Sequence, residues 1–133
     1  MEKILDVNDG LRLIQKTEGL TFGTDALLLA GYLRGKYSIG LEIGAGSGII
    51  SLLLLSRGKI DRIKALEVQE EYAELVRRNA DLNGLSDKLE PLKADIRDYV
   101  YGGGEKFDVV FTNPAFFVFV NFSKLLFRNF NID

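Results

Sequence analysis

Three glycines and a distant acid form the first pattern in the sequence that could hold a ligand. Gly44, Gly46 and Gly48 stand in "LEIGAGSGI", after a predicted strand and before a predicted helix, and Glu67 closes the next predicted strand. Glycines at such a turn allow a tight bend and let a nucleotide-like ligand approach bare backbone at a helix N-terminus. An acid at the end of the neighbouring strand can accept both hydroxyls of a ribose. The alternative is a tight turn without a ligand, with Glu67 as a solvated charge.

The composition excludes several kinds of catalytic chemistry. The 133 residues include no Cys and no His, which excludes thiolate nucleophiles, His general bases and metal sites built on either residue. We therefore predict no metal site. The net charge of -2 gives no global positive field that would attract nucleic acid. The sequence shows neither a signal peptide nor an apolar run long enough for a membrane span, so we expect a soluble, cytoplasmic protein with no membrane partner.

Strands and helices alternate over most of the chain. Apolar strands are predicted at 38–44, 61–68, 88–95 and 107–113, and helices at 47–58 and 69–84. This alternation indicates an α/β fold with a doubly wound, mostly parallel sheet. Pro91 cannot donate to a strand ladder, so the third of these strands should be an edge, as it is in the order 3-2-1-4. The glycine-rich residues 99–106 are predicted to form a loop.

The first 35 residues predict a smaller unit in front of the sheet. Residues 4–15 read as two strands around Asn8-Asp9-Gly10, which is a turn signal. Residues 24–35 read as a helix that begins at Thr24, a plausible N-cap.

Four motifs, in this order, resemble those of the class I S-adenosylmethionine-dependent methyltransferases. They are "LEIGAGSGII", "ALEV", "KADIRD" and "FDVVFTNPAF", each at the C-terminal end of a predicted strand. The resemblance implies a Rossmann-like fold and S-adenosylmethionine as the cofactor. It implies that Glu42 helps to hold the methionine amino group and that Glu67 takes the ribose hydroxyls. Val68 would then pack on the adenine ring, and Asp95 would accept from the adenine amino group with Ile96 beside it. The alternative for Asp95 is an exposed loop acid.

Residues 113–116 resemble the Asn-Pro-Pro-Tyr/Phe loop of amino-group methyltransferases. In this resemblance Asn113, which would also border the cofactor, and the Pro114 carbonyl accept the protons of the target amine. Phe116 would stack on an extruded base. Ala115 stands where the pattern has a second proline. That proline stiffens the loop but makes no side-chain hydrogen bond, so we expect its loss to weaken catalysis rather than abolish it. In isolation, Asn-Pro is an ordinary turn after a strand.

The N-terminal half of the sequence indicates a particular group within these methyltransferases. "IQKTEGLTFGTDALLLAGYL" is similar to the tRNA(Val) adenine N6-methyltransferase group and its close relatives. This similarity implies that Thr24 and Asp25 approach the methionine end of the cofactor, although a helix cap and a first-turn acid explain them as well. It implies an N-methyltransferase for the exocyclic amino group of adenine in tRNA. One alternative is a cofactor-binding but catalytically impaired fragment. Another is an NAD-binding Rossmann domain, against which GxGxG in place of GxGxxG argues.

The resemblance covers about residues 10–117, which is only about half of a usual family member. We therefore expect a single incomplete domain over 1–133, with the C-terminal strands missing. Its expected parts are a hairpin and helix at 1–35, a cofactor-binding core at 36–116 and an atypical tail at 117–133. The tail is rich in residues of high β-propensity and poor in charge, so it could act as a substitute sheet edge or as a homodimer contact.

Overall fold

The computed structural model describes residues 1–18, 24–102 and 106–113, without the side chains of residues 24, 25 and 100–102. At the N-terminus, β1 (Glu2–Asp6) and β2 (Arg12–Lys16) form an antiparallel hairpin through a 3-10 turn at Asn8–Gly10, as predicted. The other elements, in chain order, are α1 (Thr24–Tyr32), β3 (Tyr37–Ile43), α2 (Ile49–Ser56), β4 (Ile60–Glu67), α3 (Glu70–Leu82), β5 (Leu89–Lys93), α4 (Ile96–Gly102) and β6 (Val109–Thr112).

The central sheet is parallel, and its strand order is β5-β4-β3-β6. Counted from the first strand of this sheet, that is the order 3-2-1-4. Among the described strands β5 pairs only with β4, so Pro91 does lie on an edge strand, where its missing N–H costs no ladder bond. Ile43 is level with Leu66 on one side and with Thr112 on the other, so the strands end together.

Helix α2 lies inside the core. All residues from Ile49 to Leu55 are buried, as the almost entirely apolar sequence predicts. Each fully buried leucine or isoleucine side chain contributes roughly 1.5–3 kcal/mol relative to exposure. The same core cluster contains Leu11 and Leu13 from the hairpin region and Ala26 and Ala30 from α1, so the N-terminal unit packs on the helix that follows the glycine loop. In the described part of the chain, no helix is both long and apolar enough to cross a membrane.

The predicted loop at residues 99–106 is wrong for residues 99–102, which belong to α4. The Asp95 carboxylate accepts a hydrogen bond from the Arg97 N–H at 2.9 Å, and the Asp95 carbonyl accepts from the Tyr99 N–H at 3.0 Å. These bonds start a helix by capping its first turn. The Tyr99 ring packs near Phe107 at a centroid distance of 6.5 Å, which holds the short helix on the sheet. Residues 103–105 lie outside the described residues.

Gly40 in β3 leaves room for two neighbouring side chains to pack against the backbone of this strand. A Cβ atom at this position would lie 3.0 Å from Cδ1 of Ile60 and 3.4 Å from Cε1 of Phe111, and both of these side chains are buried. We expect Gly40→Val to lower the free energy of unfolding by about 1–3 kcal/mol through overpacking, measured by urea denaturation. Gly31→Val is the matched control, because no atom of the described residues lies within 4 Å of a Cβ at Gly31. Equal losses in the two variants would contradict the packing account.

Candidate functional site

The predicted ligand-binding residues other than Thr24 lie at or near the carboxyl-terminal edge of the sheet. The Gly44 N–H donates to the Leu66 carbonyl at 2.9 Å, and the Ala94 N–H donates to the Glu67 carbonyl at 3.1 Å. These bonds extend the parallel pairing beyond the ends of β3 and β5, so the chain segments that follow the strands leave side by side. The segments are the glycine loop at 44–48, the end of β4 at 67–68, the capping turn at 94–96 and Asn113 after β6.

The glycine loop uses conformations that other residues rarely adopt. Gly44, Gly46 and Gly48 have φ angles of 72°, 58° and 88°. No atom of the described residues lies within 4 Å of a Cβ built on Gly44 or Gly46, so open space borders the loop there. At Gly48 a Cβ would lie 3.3 Å from Cγ1 of Val76, so this glycine allows α3 to pack against the start of α2. The loop therefore presents bare backbone to one side and packs tightly on the other.

Glu67 is buried rather than a solvated charge. It is 5% exposed, and its Oε2 accepts a weak hydrogen bond from the Gly46 N–H at 3.4 Å. Burial raises the pKa of the Glu67 carboxyl, while hydrogen bonds from the Gly46 and Gln69 backbone N–H groups act in the opposite direction. The glycine loop and the acid at the end of β4 are thus in direct contact.

Glu42 lies beneath the glycine loop, one residue before the end of β3. It is 1% exposed, and its Oε1 accepts a hydrogen bond from the Ser51 hydroxyl on α2 at 2.6 Å. Burial raises the pKa of Glu42 to about 8, the Ser51 hydrogen bond opposes this rise, and the nearby Glu67 adds to it. The side chain is therefore mostly a neutral carboxylic acid at pH 7. The sequence analysis did not foresee its partner Ser51, whose place on an otherwise apolar, buried helix was the only signal.

The turn after β5 presents an ionised acid. Asp95 binds the Arg97 guanidinium at 2.6 Å, and this pair together with the Arg97 N–H lowers the pKa of Asp95 to about 2. The Asp95 side chain is 26% exposed, so it is neither buried nor a free loop acid. Ile96 is half-buried against the sheet, whereas Val68 exposes 60% of its surface beside Glu67.

Asn113 is the last described residue and follows β6 directly. It is half-buried, and the preceding Thr112 fixes the end of β6 because its hydroxyl donates to the Ile43 carbonyl at 2.8 Å. Asn113 therefore leaves the sheet beside Gly44. Several predictions lie outside the described residues: the roles of Pro114, Ala115 and Phe116, the tail at 117–133 with its dimer contact, and the side chains of Thr24 and Asp25.

Comparison with known proteins identifies the family. A family model described as "Methyltransferase domain" matches residues 41–130, which is more than half of the chain. The chain belongs to this methyltransferase family. Its class uses S-adenosylmethionine as the cofactor, as the four motifs suggested. Two similar curated proteins are both named tRNA1(Val) (adenine(37)-N6)-methyltransferase. The one from Bacteroides thetaiotaomicron is 36% identical over 99 residues, and the one from Flavobacterium johnsoniae is 31% identical over 106 residues.

The chain matches less than half of the length of these relatives. The matched part spans 72% and 77% of this chain but only 40% and 45% of the Bacteroides and Flavobacterium proteins, respectively. Among solved structures, the M. jannaschii tRNA m1G37 methyltransferase aligns over 94% of this chain and 39% of its own, with a TM-score of 0.73 and 22% identity. TrmK of M. capricolum, solved with S-adenosyl-homocysteine, aligns over 70% of this chain and 41% of its own, with a TM-score of 0.62 and 13% identity. These likenesses show the Rossmann-like methyltransferase fold.

Two asparagines of α3 hold the N-terminal hairpin, and the sequence analysis missed both. Asn79 is fully buried; its Oδ1 accepts from the Ile14 N–H at 2.6 Å, and its Nδ2 donates to the Ile14 carbonyl at 3.0 Å. Asn83 makes the same pair of bonds with Arg12, at 2.9 and 2.7 Å. The spacing of the two asparagines on α3 matches the spacing of their two partners on β2. Four residues on a helix advance about 6 Å, and two residues on a strand advance nearly 7 Å. Side-chain amides thus replace a third strand at the free edge of β2.

Asn79 also reaches the glycine loop. Its Nδ2 donates to the carbonyl of Ser47 at 2.8 Å, so one buried amide binds both β2 and the residue between Gly46 and Gly48. Asn83 lacks this contact and bonds instead to the Asn79 carbonyl of its own helix. The Asn79 side chain therefore links the hairpin directly to the glycine loop.

We expect Asn79→Ala to lower the free energy of unfolding by roughly 3 kcal/mol, because the Ile14 and Ser47 backbone groups lose their partners in a buried place. Asn83→Ala is the matched control and should cost about 1 kcal/mol, because water can replace its amide at a more exposed position. Hydrogen exchange should also accelerate at the Gly48 N–H in the Asn79 variant alone. Equal exchange at Gly48 in the two variants would contradict a link between hairpin and loop.

The Glu42 carboxyl predicts a specific pH dependence of stability. Between its ordinary pKa of 4.5 and its folded pKa of about 8, the folded protein holds a proton that the unfolded chain has lost. Stability must therefore fall as the pH rises through this window. Relative to Glu42→Gln, which is isosteric and does not titrate, the wild type should gain about 2 kcal/mol in unfolding free energy between pH 8 and pH 6. Chemical denaturation at both pH values measures this, and parallel pH profiles would contradict it.

Proposed function

We propose that this chain carries the cofactor-binding part of an S-adenosylmethionine-dependent N-methyltransferase that acts on the exocyclic amino group of adenine in tRNA. The observation that carries the proposal is the meeting of the glycine loop, Glu67 and Asn113 at one edge of a parallel sheet. Strand ends of this kind are where open α/β sheets bind their ligands. The names of the curated relatives support tRNA adenine as the substrate, and we extend it to this chain as a proposal, together with a cytoplasmic location.

The residues at the sheet edge fit the cofactor. Open space borders Gly44 and Gly46, where a nucleoside can approach the backbone. In the proposal, Glu67 exchanges its long bond to the Gly46 N–H for the ribose hydroxyls. The exposed side chain of Val68 covers one face of the adenine, and Asp95 accepts from its amino group, with Ile96 beside it. Glu42 lies below the methionine end, and Thr24 approaches that end from the start of α1.

The catalytic part of the proposal rests on Asn113. When bound, S-adenosylmethionine supplies a methyl group on a sulfonium that a nucleophile can attack. Asn113 leaves β6 beside Gly44, so its amide carbonyl can accept a hydrogen bond from an amine held next to the loop. The Pro114 carbonyl would accept a hydrogen bond from the second N–H of that amine, and Phe116 would stack on the base. Such groups act by orienting the amine and by stabilising the charge that develops on it.

A cofactor-binding domain without catalysis is the second candidate. It is favoured by Ala115, which stands where the pattern of the catalytic loop has a second, stiffening proline. The two candidates make the same prediction for cofactor binding and differ only in turnover.

We expect S-adenosylhomocysteine at a hundred times its dissociation constant to stabilise the wild type by about 2.7 kcal/mol, seen as a shift in thermal unfolding. NADH should give no shift. Gly46→Ala should abolish the response, because its Cβ would enter the space beside the loop. Gly58→Ala is the matched control: Gly58 also has a positive φ, 66°, with open space around it, but it lies at the far end of α2. Each variant should lose roughly 1–2 kcal/mol from the left-handed conformation, and only Gly46→Ala should lose the ligand. A wild type that responds to NADH instead would overturn the proposal.

Turnover is tested with labelled S-adenosylmethionine and a tRNA(Val) transcript. In an active chain, Asn113→Ala should reduce methyl transfer by about a hundredfold, because the amine loses an acceptor in the transition state. The thermal response to S-adenosylhomocysteine should stay close to that of the wild type. A chain that binds S-adenosylhomocysteine but transfers no methyl group to any tRNA supports the second candidate. Methylation that is unchanged in Asn113→Ala would contradict the role given to this residue.

A further inference from the structure

Gln15 has a buried side-chain amide, and the proposed function gives it no role. It lies in β2 and is 4% exposed, and among the described residues nothing donates to its Oε1. A buried carboxamide oxygen without a hydrogen bond destabilises the folded state, because it has lost its bonds to water and gained none in return. Such a cost is unusual in a folded protein unless a ligand, an ion or water completes the hydrogen bond.

The path of β2 brings Gln15 toward the glycine loop. The hairpin turn lies at the far end of α2, where Asp9 binds Arg57 at 2.6 Å. From there β2 runs back toward the N-terminus of α2. Just before Gln15, the Ile14 carbonyl shares the Asn79 amide with the Ser47 carbonyl of the loop.

The orientation of Gln15 follows from the strand alternation. Ile14 packs on Tyr72 and Leu75 of α3, whereas Leu13 belongs to the core cluster that contains α2 and the loop residue Ala45. Side chains alternate along a strand, so Gln15 lies on the face of Leu13, toward α2 and the loop. Gln15 is one strand position further toward the loop than Ile14. Its unpaired oxygen therefore belongs to a side chain on the face of β2 that looks toward α2 and the glycine loop.

We propose that the Gln15 carboxamide is a cofactor-binding residue that accepts a hydrogen bond from a donor group of the bound S-adenosyl cofactor, either its ammonium or a hydroxyl. This inference rests on the proposed function, since it needs the cofactor beside the glycine loop. It adds a residue of the hairpin to a site otherwise built from strand ends. It also assigns Asn79 a use, because the Asn79 amide fixes the distance between Gln15 and the loop.

The test uses Gln15→Met, which keeps the length of the side chain and removes its polar atoms. Without ligand, the melting temperature should be equal to or higher than that of the wild type, because an unsatisfied polar group has been removed from a buried place. With S-adenosylhomocysteine, the affinity measured by calorimetry should fall about tenfold, since the ligand donor loses its acceptor. A residue with a merely structural role would show the reverse pattern, a lower melting temperature and unchanged affinity.

Lys16→Met is the matched control. Lys16 is the next residue of the strand and lies on the opposite face, paired with Glu71 and above the Tyr72 ring. Its replacement should leave the affinity for S-adenosylhomocysteine unchanged. Wild-type binding together with unchanged affinity in Gln15→Met would overturn this inference alone. A wild type that does not bind S-adenosylhomocysteine would overturn the proposed function, and the inference with it.

Discussion

The chain must pass from β3 into α2 within five residues, and every second residue of that turn has a positive φ. Only glycine adopts this conformation without strain, so the turn exists because Gly44, Gly46 and Gly48 occupy these positions. The turn reverses the chain closely enough for α2 to lie in the core. It also leaves the N-terminus of α2 facing the edge where β3, β4 and β6 end together. The site depends on this one reversal, since it opens the space beside Gly44 and Gly46 and brings the loop into contact with Glu67.

Three buried polar side chains lie around this turn. Burial keeps Glu42 neutral while the Ser51 hydroxyl donates a hydrogen bond to it, and Glu67 accepts a hydrogen bond from the Gly46 N–H of the loop. Asn79, on α3, donates a hydrogen bond to the loop and also binds the hairpin. Unpaired polar groups are costly in such surroundings, so these contacts fix the shape of the loop before a ligand arrives. The open space beside the exposed face of the loop is available to a ligand.

The sheet and the glycine loop could be predicted because their signals are local. Apolar runs that end in glycine, an acid or asparagine mark the strands, and Pro91 marks the edge strand. The prediction failed at residues 99–102, where the glycines suggested a loop and the capping bonds of Asp95 form a helix instead. Asn79 and Gln15 could not be found, because their meaning depends on partners that are distant in sequence: Asn79 binds Ile14, which is 65 positions away. In a helical sequence such an asparagine looks like an ordinary surface residue. A buried unpaired amide can be recognised only when the packing around it is known.

The most direct test of the account maps the ligand onto the backbone. In a titration of the isotope-labelled wild type with S-adenosylhomocysteine, amide resonances should shift at the glycine loop, at Glu67 and Val68, at Asp95 and at Asn113. Resonances at the opposite edge of the sheet, at Tyr37 and Ile60, should stay in place. Shifts confined to that opposite edge, or no shifts at saturating ligand in a folded sample, would contradict the claim that the glycine turn builds a cofactor site.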